Sequence, residues 1–366
     1  MSPNKRTGRK RDYVGVLSSV FAIVIGLLVG FVILLICNPS QALPGFVTIL
    51  TGALTHGLKG VGQVFYYATP IILTGLSVGF AFKTGLFNIG TPGQFIVGAF
   101  AAVYVGIMWT GLGRIQWAVA LLAAILGGAL WGMVPGVLKA CFNVNEVIAS
   151  IMMNYIGMYM VNWIVKSYKP LFNNLRNESR NVAATAQIPK MGMDKLFPES
   201  SVGGGILLAV AAVLLIWVIL NKTTFGYELK AVGFNRDAGR YAGINEKRNI
   251  IMSMVIAGAI AGMAGGLLYL AGTGKHIEIK DVLAPEGFTG ISVALLGLSH
   301  PIGVLFSGLF IAYLTAGGFY LQLFEFSTEI IDIIVAVIIY FSAFALIVKT
   351  ILTRMNRKRE KGGGRT

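Results

Sequence analysis

Long apolar runs recur along the chain near residues 14–37, 61–82, 94–113, 117–139, 147–166, 203–221, 250–272, 302–322 and 329–350. A helix needs roughly 20 residues to cross about 30 Å of hydrocarbon, so each run predicts a membrane helix. A shorter run at 284–298 is interrupted by glycines and predicts a partial or tilted helix. The pattern is that of an all-α polytopic membrane protein with about ten transmembrane helices, since barrel strands alternate residue by residue and are shorter.

Composition agrees: 55% hydrophobic and 12% charged residues leave too few polar side chains to cover a soluble globule of 366 residues. Mean hydropathy is +0.75. The 47 glycines suit close helix approach in a membrane. A net charge of +15 would ordinarily raise the question of nucleic-acid binding, but the charge sits in tails and loops. Lys5, Arg6, Arg9, Lys10 and Arg11 precede the first run, and Arg354, Arg357, Lys358, Arg359, Lys361 and Arg365 follow the last. Basic clusters beside membrane helices mark cytoplasmic ends, so the basicity reflects topology and not nucleic acid.

The organisation expected is a basic cytoplasmic tail at 1–13, one transmembrane domain at 14–352 and a second basic cytoplasmic tail at 353–366. An even number of crossings puts the charged break at 222–249 in the cytoplasm and the long loop at 167–202 outside. The outer loop nonetheless carries Lys169, Arg176, Arg180, Lys190 and Lys195 against Glu178, Asp194 and Glu199. Its Asn and Pro residues predict irregular structure or one short surface helix, a natural lid or docking surface. The run at 14–37 is longer than a signal-peptide core and has no small-residue cleavage site, so it reads as a retained helix. Cys37 and Cys141, the two cysteines, are expected at opposite faces and unbridged.

Two segments break the apolar pattern in the same way. One contains Asn88, Gly90, Pro92, Gly93 and Gln94, the other Pro285, Glu286, Gly287 and Gly290. Paired Gly/Pro interruptions point to a transporter pathway, because unwound backbone at membrane depth survives only where protein or water satisfies it. Asn88, Gln94, Glu286 and Ser292 offer hydrogen bonds to a polar solute, and Phe95 and Phe288 offer stacking faces. Glu146, Ser150 and Asn154 recur every fourth residue on one helix stripe, with Asn154 the deepest. The alternative is that such groups fasten helices together, at roughly 0.6–2 kcal/mol per bond, with Glu146 simply favouring a helix start.

In the cytoplasmic break, Asn235 is a helix cap, Asp237 falls in the first turn, and Gly243 suits a left-handed stop. Ala238, Tyr241 and Ala242 then share one small-aromatic face between the charges of Arg236 and Arg240. An ordinary solvated helix fits these residues too. The run Ala271-Gly-Thr-Gly-Lys275-His276 fails the phosphate-loop pattern, which needs glycine at Tyr269 and a hydroxyl at His276. His56, His276 and His300 stand singly, without metal-ligand spacing. No catalytic residues, metal site or cofactor are expected in this chain.

Three stretches together carry a family resemblance: 85–95, 143–155 (Asn-Val-Asn-Glu-Val-Ile…Met-Asn-Tyr), and 227–245 followed by 258–266. Over roughly 60–351 the chain resembles the permease subunits of ATP-binding-cassette (ABC) importers of the branched-chain amino acid, ribose and nucleoside group. Within that group it is most similar to nucleoside or simple-sugar permeases that work with basic-membrane-lipoprotein binding proteins. The resemblance implies a multi-pass protein of a bacterial plasma membrane, with a second homologous permease, a cytosolic ATPase holding ATP and magnesium, and an extracytoplasmic solute-binding lipoprotein as partners. It implies alternating access that imports nucleosides, with simple sugars as the alternative cargo. It also makes Asn235, Arg236, Asp237, Ala238, Arg240, Tyr241, Ala242 and Gly243 the helix that couples to the ATPase.

Two other classes stay open on the residues alone. An ion-coupled secondary transporter generally needs ionisable groups deep in the bundle, whereas Glu146, Glu325, Glu329 and Asp332 fall near predicted span ends. An intramembrane enzyme would need a nucleophile–base pair or a metal cluster, and neither pattern occurs.

Overall fold

The computed structural model describes residues 6–343. The expected basic tail at 353–366, the end of the span expected at 329–350, and residues 1–5 lie outside the described residues. The chain is an all-α polytopic membrane protein. Its helices are α1 (Arg6–Cys37), α2 (Ala42–Thr55), α3 (Gly57–Lys83), α4 (Thr91–Met108), α5 (Gln116–Phe142), α6 (Glu146–Ser167), α7 (Met193–Leu196), α8 (Gly205–Lys222), α9 (Thr224–Phe234), α10 (Arg236–Tyr241), α11 (Glu246–Tyr269), α12 (Pro285–Leu296), α13 (Pro301–Phe319) and α14 (Thr328–Ala343).

Among the described residues, 7 helical stretches are long and apolar enough to cross a membrane: those containing α3, α4, α5, α6, α8, α11 and α13. They coincide with seven of the expected runs, while α1 and α14 coincide with two more. The interrupted run at 284–298 becomes α12, whose 12 residues reach about 18 Å, short of a full crossing. Helix α2 is not anticipated by the sequence pattern; its 14 residues are apolar but too few for a span. The loop at 167–202 is largely irregular and carries the short helix α7, as expected, and it also forms an unanticipated two-stranded hairpin, β1 (Phe172–Asn173) antiparallel to β2 (Glu178–Ser179).

The chain divides into two compact units, Met1–Gly52 with Leu314–Thr366, and Ala53–Tyr313. In the first, a methyl group built on Gly30 would lie 2.9 Å from Ile334, and one on Gly45 would lie 2.9 Å from Phe326. In both pairs a side chain rests directly on the glycine, where a methyl group would displace it.

The second unit is organised around α4, α5 and α11. A Cβ on Gly262 would fall 2.2 Å from the Ala124 carbonyl, one on Gly128 2.2 Å from that of Gly258, and one on Gly98 2.3 Å from Gly262 Cα. These helices therefore touch backbone to backbone. Lipid gives apolar helices no hydrophobic reason to associate, so the dispersion gained by such close approach is what holds them.

Candidate functional site

The first interrupted segment begins where α3 ends in a Schellman turn. Leu86 N donates to the Ala81 carbonyl at 3.2 Å, and Gly85 N donates to that of Phe82 at 3.0 Å. Gly85, at φ 70, supplies the left-handed residue the turn requires. The chain then runs unwound to Pro92 in the first turn of α4.

Side-chain amides satisfy this unwound backbone. Asn88 Nδ2 donates to Gln94 Oε1 at 2.9 Å, Gln94 Nε2 donates back to Asn88 Oδ1 at 3.1 Å, and Gly90 N donates to the same oxygen at 3.1 Å. From α6, Asn154 Oδ1 accepts from Gly93 N at 2.9 Å while its Nδ2 donates to the Ile89 carbonyl at 3.0 Å. Asn88, Gln94 and Asn154 are all buried. Three sequence-nominated pathway residues thus meet in one place, their amides turned onto one another and onto backbone. Phe95 is buried beside them, its ring 6.4 Å from that of Tyr269. Ser150 Oγ, one turn before Asn154, is buried without a hydrogen-bond partner among the described residues.

The second interrupted segment packs on the first. A Cβ on Gly287 would meet Pro92 N at 2.5 Å, and one on Gly290 would meet the backbone of Thr74 at 2.6 Å. Only glycine lets α12 wedge so closely against α3 and the start of α4. Of the remaining candidates, Ser292 is buried and Phe288 is exposed. Glu286 accepts from Lys275 Nζ at 2.9 Å. Burial would lower the Lys275 pKa, but Glu286 outweighs it and holds the ammonium above the ordinary lysine value.

Lys275 belongs to a strap, residues 270–281, that the sequence pattern offered only as a failed phosphate loop. Gly272 and Gly274 both have positive φ, 74 and 73, and bend it. Tyr66 OH and Thr273 Oγ1 lie 3.1 Å apart, a second tie between the strap and a membrane helix. Close by, Tyr66, Thr69, Pro70 and Leu267 line a cavity of about 20 Å³. That is room for about one water, so this cavity is closed to any organic solute.

At the opposite end of α11 lies a charged, aromatic platform. Asn235 Oδ1 accepts from Ala238 N at 3.1 Å and starts α10; Gly243, at φ 78, stops it, with Ile244 N donating to the Gly239 carbonyl at 3.0 Å. Helix α10 has 6 residues and ends just before the glycine stop that the sequence marks. The preceding α9, with 11 residues, is an addition to the expectation. Tyr241 and Phe234 are 95% and 91% exposed, and Asp237, Ala238, Arg240 and Ala242 are also exposed. Arg236 is half-buried, within electrostatic reach of Glu146, which Lys139 Nζ contacts at 2.8 Å.

The platform is keyed to the interrupted segment by a contact invisible in one dimension. A Cβ on Gly233, at the end of α9, would lie 2.3 Å from the Lys83 carbonyl and 3.0 Å from Gly85 N. Thr84 and Ser253 hydroxyls, 2.5 Å apart, bind the same turn to α11. Lys139 carries no sequence signal of its own, and Gly233 lies within the 227–245 stretch without a feature that announces this contact. No group of three or more His, Cys, Asp or Glu able to hold a metal ion occurs among the described residues.

Comparison with known proteins gives one matching family model, described as branched-chain amino acid transport system / permease component, over residues 60–343. The guanosine ABC transporter permease protein NupP of Bacillus subtilis is 38% identical over 344 residues, 93% of this chain and 96% of its own. The nucleoside ABC transporter permease protein NupB of Lactococcus lactis is 35% identical, covering 93% of each chain. The glucose ABC transporter permease protein TsgB13 of Haloferax volcanii is 32% identical over 77% of this chain and 75% of its own. No solved structure matches.

Proposed function

This chain belongs to the branched-chain amino acid transport system permease family, and from that premise we propose that it carries nucleosides inward as the membrane subunit of an ATP-driven importer. The observation that carries the mechanism is the Gly233–Gly85 contact, which joins an exposed platform to the unwound segment beside α4. A cytosolic ATPase that binds ATP and magnesium grips Tyr241, Phe234, Arg236 and Arg240 on that platform. Its closure moves α9, and α9 pushes the turn at Gly85. The turn leads directly into the Asn88–Gln94–Asn154 clasp, so displacement there loosens the seat of α4 and α12 and opens the pathway. ATP hydrolysis supplies the free energy on the partner, and the solute crosses unchanged.

The reading sets the α9–α10 face and both termini in the cytosol of a bacterium and the hairpin and strap outside. The remaining partners are a second homologous permease, which completes the pathway, and an extracytoplasmic solute-binding lipoprotein. Nucleosides rank ahead of simple sugars because the two relatives that cover 93% of this chain are nucleoside permeases, whereas the glucose permease aligns over 77%. The complex reconstituted in proteoliposomes, with its binding protein, is expected to take up nucleosides only with ATP, and to lose uptake on Gly243→Pro or on charge reversal at Arg236 and Arg240. ATP-independent uptake driven by an ion gradient would replace this reading with a secondary transporter, and preference for glucose or pentoses would change the cargo.

A further inference from the structure

The strap that joins α11 to α12 is fixed along one half and loosely held along the other. Ile277, 1% exposed, lies in a core cluster with Val97, Val161 and Val165. Its carbonyl accepts from Ser179 N of the hairpin at 2.9 Å, and Ile279 N donates to the Asn177 carbonyl at 3.1 Å. From α6, Asn162 Nδ2 donates to the Lys280 carbonyl at 3.0 Å. Apolar burial and backbone bonding therefore hold residues 277–280 in place.

Residues 271–276 have neither support, and none of them is buried. Gly272 and Gly274 bend the stretch at positive φ, and a Cβ on Gly274 would meet nothing within 4 Å, so the bend has room to change. Among the described residues, what ties it to other elements is a pair of side-chain contacts: Lys275 Nζ donates to Glu286 Oε1 on α12 at 2.9 Å, and the Tyr66 and Thr273 hydroxyls meet at 3.1 Å on α3. A partly exposed ion pair is a weak fastening beside a buried apolar anchor. Both partners also sit on elements that can shift. Pro70 has no N–H for the Tyr66 carbonyl four residues before it, which weakens α3 at the turn that carries Tyr66. Glu286 stands in the first turn of the short α12. Beneath the stretch is the cavity of about 20 Å³, with Tyr66, Thr69, Pro70, Leu267 and Ala271 in its wall. Ala271 belongs to the loosely held stretch and Tyr66 to its fastening, so release of one widens the other.

We propose that residues 271–276 are a flap that closes the solute pathway at this end, latched by the Lys275–Glu286 and Tyr66–Thr273 contacts and opening the space at Pro70 when they part. The flap swings between the buried anchors Leu270 and Ile277, and Gly272 and Gly274 absorb the change in backbone angles. A polar latch exchanges its bonds for water as it opens, so the closed and open states differ by little free energy and a driven change elsewhere can select between them. This deepens, and rests on, the importer reading, which puts the flap on the outer side.

The test uses the full complex in proteoliposomes, with Thr69→Cys as a reporter in the cavity wall and the exposed Cys37 and Cys141 replaced by serine. A neutral, water-soluble maleimide reads its accessibility as a mass shift of this chain. Lys275→Gln and Glu286→Gln should each speed labelling about three- to tenfold, the scale of one partly exposed charged hydrogen bond. The two variants change the charge in opposite directions, so a shared increase reports release of the flap and not a field effect. Lys275→Glu combined with Glu286→Lys should return labelling toward the rate of the reporter alone. Equal rates in every background, or no rescue by the swap, overturn the latch. Separately, Lys275→Cys with Glu286→Cys, joined by a short reducible thiol cross-linker, should lose ATP-dependent nucleoside uptake and regain it on reduction. Full uptake by the cross-linked complex overturns the gate and leaves the importer reading standing. If the wild type takes up no nucleoside with ATP, the importer reading falls and the gate with it, while labelling still decides the latch.

Discussion

Asn88 and Gln94 exchange two hydrogen bonds across the unwound start of α4, amide to amide, and both are buried. Each side chain satisfies the other, and Asn154 completes the clasp by bonding backbone on both sides of the break. Replacing one member leaves its partners buried without bonds, at about 1–3 kcal/mol per orphaned group. Asn154→Leu strands both Gly93 N and the Ile89 carbonyl, so its thermal unfolding midpoint in detergent should drop by several degrees. A variant as stable as the wild type but altered in cargo preference would instead make Asn154 a solute contact.

The glycine seam predicts a sharp contrast. Gly262→Ala puts a methyl group 2.2 Å from the Ala124 carbonyl, where only separation of α5 from α11 relieves the clash. Overpacking of this kind costs about 1–3 kcal/mol or more. A methyl group on Gly111 meets nothing within 4 Å, so Gly111→Ala should stay within about 0.5 kcal/mol of wild type. Size-exclusion profiles and unfolding midpoints of the two variants should separate them, and equal behaviour would refute backbone contact along the seam.

Gly233 tests transmission. Its Cβ would strike the Lys83 carbonyl at 2.3 Å, so Gly233→Ala should lift α9 off the Gly85 turn while leaving the exposed face of α10 intact. ATPase activity should persist while uptake per ATP falls about tenfold, within the 1–3 kcal/mol typical of coupling between sites. Equal loss of both activities would mean that the platform no longer binds the ATPase.

Lys275 has a pKa raised by Glu286 against the lowering effect of burial. A raised value in the folded state means that the pair contributes stability below the unfolded lysine pKa of about 10.4 and loses it as pH climbs through the folded value. The unfolding midpoint of wild type should therefore exceed that of Lys275→Gln throughout neutral pH, with the gap narrowing only in strongly alkaline buffer. A gap that closes between pH 6 and about 8 would be inconsistent with a lysine of this kind.

Much of the local structure was legible in one dimension because its causes are local. Asn235 and Gly243 bound α10 through a side-chain cap and a left-handed residue that the sequence spells out. The interrupted segments likewise announce themselves, since Pro92 and Pro285 start helices and cannot continue them. The roles of their polar residues were not legible. Asn88, Gln94 and Asn154 have the same composition whether they face a solute or each other, and only the crossing of α6 over the break turns Asn154 onto Gly93 and Ile89.

By itself, the sequence determined that this chain is a helical membrane protein with two broken segments and a capped charged loop, because span length, propensity and capping act over one or two turns. Tertiary structure alone decided which residues act together. Gly233 reaches Gly85, Gly287 reaches Pro92, Lys275 reaches Glu286 and the 172–179 hairpin finds the strap, each pair joining positions distant in sequence or on separate elements. Close approach of backbones and pairing of buried charges depend on how helices cross, and that crossing is set by packing over the whole second unit.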